Sequence, residues 1–117
     1  MGIILFIVSN ILIAILYPIG FLYSIVLTLF KSGFKELDKY LFNCAIANDQ
    51  HGNTFLAKLF NDIMIKPNGH KFGNPDETIS SVLGKNKLKG KLSFVGKTLD
   101  YILHILDNNH SIKSIED

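Results

Sequence analysis

The 117-residue chain contains no tryptophan, one cysteine and three prolines. All twelve of its basic side chains other than histidine are lysine, with no arginine. A lone Cys44 excludes an intrachain disulfide, which suits a reducing compartment for the polar part. Without arginine there is no bidentate fork for guanine readout or for clamping a phosphate. The net charge of +2 is too mild to call for a polyanionic partner. The most informative absence is local. From Gly2 to Phe30 there is no Asp, Glu, Lys, Arg or His.

What fills that stretch is Ile, Leu, Val and Phe. A bilayer core of about 30 Å takes about 20 helical residues. At about 1.5 Å per residue, 3–30 reaches about 42 Å, enough for one tilted or kinked crossing and too short for two. Pro18, close to Gly20, predicts a kink. Ser9, Asn10 and Ser24 are its strongly polar side chains, and such groups in lipid turn toward a neighbouring helix, so self-association is one expectation. A cleaved signal peptide fits poorly: a basic n-region and an A-x-A site before Lys31 are both missing. Phe6 stands where a myristoylation signal has Ser or Thr. The remaining 87 residues are too few to hide so long an apolar helix in a soluble core. Lys31, Lys35 and Lys39 follow the segment, so the positive-inside rule places the C-terminal part in the cytoplasm. The expected location is the inner (cytoplasmic) membrane, single-pass, with the bilayer as first partner.

The expected fold class is all-α, with a transmembrane helix over 1–30 and a small cytoplasmic helical domain over 31–117, built of three to four short helices. Phe34, Leu37, Tyr40, Leu41, Ala45 and Ile46 recur at helical spacing. Gly33 predicts a break or hinge, with Phe34 and Tyr40 as interfacial anchors. The polar cluster 48–53 reads as a turn. Helical spacing resumes over 54–65, and 67–73 reads as a loop. Asn74-Pro75-Asp76-Glu77 is a helix-start signature with Asn74 as cap, predicting a helix over about 75–83 that Gly84 stops. The lysine run 85–97 precedes a last helix over about 97–107, and 110–117 forms a short tail.

Three polar clusters carry candidate chemistry. Asp76, Glu77, Ser80 and Ser81 are catalytic candidates, as metal-binding or proton-transfer carboxylates with hydroxyls one turn on; a serine nucleophile needs a positioned base, and local sequence supplies none. A well-capped helix start accounts for Asn74, Pro75 and Glu77 without any ligand. Asp49, Gln50, His51 and Asn53 offer an Asp/His pair or ligand hydrogen bonds, against a polar turn. His104, Asp107, His110 and Glu116 offer transition-metal ligands, against unremarkable surface polarity, since no zinc spacing is present. Lys85, Lys87, Lys89 and Lys91 suit anionic lipid at about 1 kcal/mol per lysine. With only Phe94 among them, they do not form a base-stacking platform, and nucleic acid is not an expected partner.

Asp49, Gln50 and Asn53, then Gly73, Pro75, Asp76, Glu77, Thr78, Ile79, Ser80 and Ser81, then Asp100, His110 and Glu116, form a pattern. Over roughly 45–117 the chain resembles a group of short, uncharacterised bacterial and prophage-encoded proteins with an apolar N-terminus. It departs from them at Ser111, where many have Cys after the His, and at Val82, where Arg is common. The resemblance implies no activity. It does imply that the clusters form one site, with Asp49, Glu77 and His110 converging, as candidate ligands of a divalent metal. The expected function is a single-pass membrane protein whose helical module binds a partner or the membrane surface. The alternatives are a membrane-tethered, divalent-metal-dependent hydrolase or nuclease, and a lysis or superinfection-exclusion effector.

Overall fold

A computed structural model describes residues 1–116; Asp117, the last residue of the expected tail, lies outside them. The chain is helical, with one long apolar N-terminal helix and four shorter ones: α1 (Gly2–Phe55), α2 (Ala57–Ile63), α3 (Ile79–Leu88), α4 (Phe94–Leu106) and α5 (His110–Lys113). Among the described residues there is no strand, only an antiparallel bridge pairing Ile65 with Leu92. The chain divides into two compact units, Met1–Asn43 and the residues from Cys44 onward.

In the first unit α1 is one helix long and apolar enough to cross a membrane, and none of its apolar window is buried. Pro18 sits inside it, and the non-helical backbone falls at Gly33, with φ 83° and ψ −178°. That region is essentially glycine-only. The break is sharp. Phe21 and Tyr40 would be about 28 Å apart along a straight helix, yet their rings meet edge-on at 6.2 Å. Residues 34–43 therefore fold back beside the apolar segment, and the expected hinge is at Gly33.

The second unit has a small apolar core of Met64, Phe72, Val82, Leu83 and Leu92, against which Phe60, Ile79, Leu99 and Leu103 pack. Eight polar residues are equally buried, Asn53, Glu77, Thr78, Ser80, Ser81, Asn86, Asp100 and Ser111. Because they outnumber the apolar core, hydrogen-bond completion decides whether this unit is stable. No buried side-chain nitrogen or oxygen among the described residues lacks a partner.

Five boundaries differ from the sequence expectation, one of them the expected tail 110–117, which opens with the helix His110–Lys113. Residues 48–53 are helical, because Asp49, Gln50 and Asn53 bond to distant backbone rather than closing a local turn. Asn74 caps a turn, accepting from Asp76 N at 3.0 Å. The helix starts four residues later at Thr78, whose hydroxyl accepts from Ser81 N. Nor does Gly84 end α3. It lies within the helix because a Cβ there would sit 2.2 Å from the Ser111 carbonyl oxygen; the glycine lets α5 approach α3. The helix instead runs into the lysine run as far as Leu88, and α4 begins at Phe94, capped by Ser93.

Candidate functional site: a polar network on the Ser80–Ser81 pair

The C-terminal end of α1 grips the loop before α3. Asn53, fully buried, donates to the carbonyls of Asn74 (3.1 Å) and Glu77 (2.7 Å) and accepts from Gly73 N (3.0 Å). Gln50 donates to the Asp76 carbonyl at 3.2 Å. Asp49 takes the start of α3: its carboxylate accepts from Ile79 N at 2.6 Å and from the Ser80 hydroxyl at 2.8 Å. A carboxylate on the unpaired N–H groups of a first turn is favoured by both hydrogen bonding and the helix dipole. These three residues, expected to meet a ligand, have these atoms engaged within the chain.

Ser80 and Ser81 point to different partners. Ser80 lies between Asp49 and His110, whose Nε2 is 3.2 Å from its Oγ. The other ring nitrogen of His110 meets Asp107 at 2.9 Å, and Asp107 also pairs with Lys113 at 2.6 Å. Since a carboxylate only accepts, Nδ1 carries a proton. Ser80 has one proton of its own, for either Asp49 or His110; the shorter contact is to Asp49.

Ser81 donates to Glu77 at 2.7 Å and accepts from Glu116 N at 2.8 Å. Glu77 is the electrostatic centre, 4% exposed. It meets His70 at 2.9 Å and Lys85 at 2.7 Å. Burial raises its pKa, but hydrogen bonds from His70, Lys85 and Ser81, with the attraction of His70, together outweigh burial and hold it below the usual carboxylate range. Asp107 is lowered too, by its bonds to Lys113 and His110. Asn86 fixes the backbone that carries His70, accepting from His70 N at 2.7 Å and donating to its carbonyl at 2.8 Å.

The network therefore joins Asp49, Ser80 and His110 on one side and Ser81, Glu77, His70 and Lys85 on the other. The candidates Asp49 and His110 meet on Ser80, while Glu77 has a separate set of partners. Among the described residues no group of three or more His, Cys, Asp or Glu is arranged to hold a metal ion. Asp76 is exposed, outside the network apart from its backbone. His51 stacks on Phe55 at 3.9 Å, and His104 accepts from Asn109 N. Lys87 pairs with Asp100, which also accepts from the Ser111 hydroxyl. Lys89 and Lys91 have no ion pair among the described residues.

Sequence reasoning missed His70, Asn86 and the Asp100–Ser111 bond. A loop histidine carries no local signal of a partner seven residues away. Asn86 sits in a lysine run, where its polarity looks ordinary; only its place on the buried face of α3 distinguishes it. No family model, curated protein or solved structure matches the chain, so the functional reading rests on this geometry.

Proposed function

We propose that the chain is a single-pass membrane protein that presents a small, polar-cored helical module at the cytoplasmic face of the inner membrane, where the module binds. One observation carries this reading. The apolar stretch of α1 has a mean hydropathy of 2.5 over its best window and no part of that window is covered by protein. In water that surface is unsatisfied; in a bilayer it is at home. Lys31, Lys35 and Lys39 follow it and support a cytoplasmic module. Cys44, the single cysteine, makes the orientation testable. A membrane-impermeant maleimide is added to inverted and to right-side-out vesicles, with an exposed Asn108→Cys in a Cys44→Ser background as a second reporter. Labelling confined to inverted vesicles is expected; labelling confined to right-side-out vesicles refutes the orientation.

A second reading is favoured by the line Asp107–His110–Ser80, which has the order of a serine nucleophile, its base and the group that orients the base. In that chemistry the Ser80 proton passes to His110 Nε2 as Oγ adds to an ester carbonyl. The proton then leaves with the alcohol, and water hydrolyses the acyl-serine. It ranks second because Ser80 is 4% exposed and Asp49 occupies the first-turn N–H groups that would hold an oxyanion. Fluorophosphonate labelling decides it: reaction lost in Ser80→Ala and kept in Ser81→Ala supports hydrolysis, and no reaction discards it.

A further inference from the structure

Helix α4 is turned inside out for a helix on a water-soluble module. Its inner face is Gly96, Leu99, Asp100 and Leu103, and it includes a buried carboxylate. At about 100° per residue, Phe94, Val95, Tyr101, Ile102, Ile105 and Leu106 occupy the opposite arc, about 140° wide. They are exposed, Phe94 by 84%, Leu106 by 78% and Ile105 by 65%. A helix facing water carries its charges on that arc; here Thr98 is its one polar member. Lys97 flanks it on α4, and Lys89 and Lys91 precede the helix, all three without an ion pair among the described residues. No acidic residue occurs between Glu77 and Asp100. Lys85 and Lys87, in contrast, are neutralised by Glu77 and Asp100. Lys97 is therefore an uncompensated cation beside the apolar arc, and Lys89 and Lys91 are two more just before the helix in the chain.

We propose that this outer face of α4 lies on an anionic bilayer surface, its aromatic and aliphatic side chains at the headgroup–acyl boundary and Lys89, Lys91 and Lys97 among the phosphates. An apolar face edged by lysine has the chemistry of an interfacial helix. The proposal rests on the membrane-anchored reading, because the anchor holds the module near lipid. A second copy of the chain would leave the three like charges unneutralised, whereas an anionic lipid surface neutralises them.

The chain has no tryptophan, so Phe94→Trp and Tyr101→Trp each give a single reporter on an exposed position. The full chain is placed in nanodiscs of phosphatidylcholine and phosphatidylglycerol, with and without lipid brominated near the top of the acyl chain. Both reporters should emit at shorter wavelength than Lys71→Trp, an exposed loop position, and be quenched at least twofold more. Replacing phosphatidylglycerol with phosphatidylcholine should reduce that quenching. Quenching equal to that of Lys71→Trp overturns the proposal, as does blue-shifted emission without bromine quenching, which is the signature of a protein-covered face. Leu12→Trp in the apolar segment reports insertion separately: if it is quenched while the α4 reporters are not, the anchor stands and the docking face falls.

Discussion

The two units are stabilised in opposite ways. The first has no charged side chain before Lys31 and exposes Ile3, Leu5, Ile15, Leu16 and Leu22. It folds as a helix because helical backbone satisfies itself wherever it is placed, but no side chain of its most apolar window is buried by the protein. The second buries more polar residues than apolar ones and pairs each of them. One unit needs a solvent, and the other needs geometry. Substitutions should separate them: apolar truncations on α1 change where the chain resides, and loss of one hydrogen-bonding atom in the second unit changes whether it folds.

The largest effect is expected at Glu77. Glu77→Ala leaves Lys85, His70 and Ser81 without their shared acceptor in a buried site and should cost about 3 kcal/mol, read by denaturant unfolding in detergent or as lost amide protection in α3. Gly84→Ala comes next. Its Cβ would meet the Ser111 carbonyl at 2.2 Å, and overpacking against backbone should cost about 2 kcal/mol. Amide protection should fall first in α5. Gly33→Ala acts on the other unit. Forcing a β-carbon into that backbone region costs about 1–3 kcal/mol. Spin labels at Phe21 and Tyr40 should move apart while the unfolding midpoint of the second unit stays unchanged.

Acid should act through Glu77 before it touches α1, whose apolar stretch does not titrate. Against the opposing effect of burial, His70, Lys85 and Ser81 hold the folded pKa of Glu77 below its unfolded value. Its stabilisation is therefore present above that value and is lost as pH falls through the lowered folded pKa. Unfolding midpoints of the second unit should drop over that window, and Glu77→Gln should flatten the slope. Asp107, also lowered but exposed, should give the smallest effect. Asp107→Asn should leave the midpoint nearly unchanged and instead loosen His110 from Ser80, read as a shift in the His110 ring resonances.

The helical class and the apolar segment were legible in the sequence because composition and period report them directly. The clusters around Asp49, Ser80, Ser81 and His110 were legible as polar residues in places where helices need few. Their connections were not. Asn74-Pro75-Asp76-Glu77 has the composition of a helix start, yet Asp49, some thirty residues earlier, supplies the acceptor that lets the helix begin at Ile79. Likewise 48–53 has turn composition, but its amides and carboxylate serve partners beyond residue 72, which frees the local backbone to stay helical. Long-range hydrogen bonds of this kind leave no trace in a local window. They also decided the fate of Lys85 and Lys87, which belong to buried carboxylates, whereas Lys89, Lys91 and Lys97 have no ion pair among the described residues.

If α1 belongs in a bilayer and the second unit stands on its own polar network, the two should separate when the apolar segment is made polar. Alkaline carbonate extraction of membranes carrying the full chain tests it, with a Leu12→Lys, Leu16→Lys variant beside it. The natural chain should stay with the membrane pellet, and the variant should be released with the amide protection of α3 intact. Release of the natural chain, with its helical content unchanged, would contradict it.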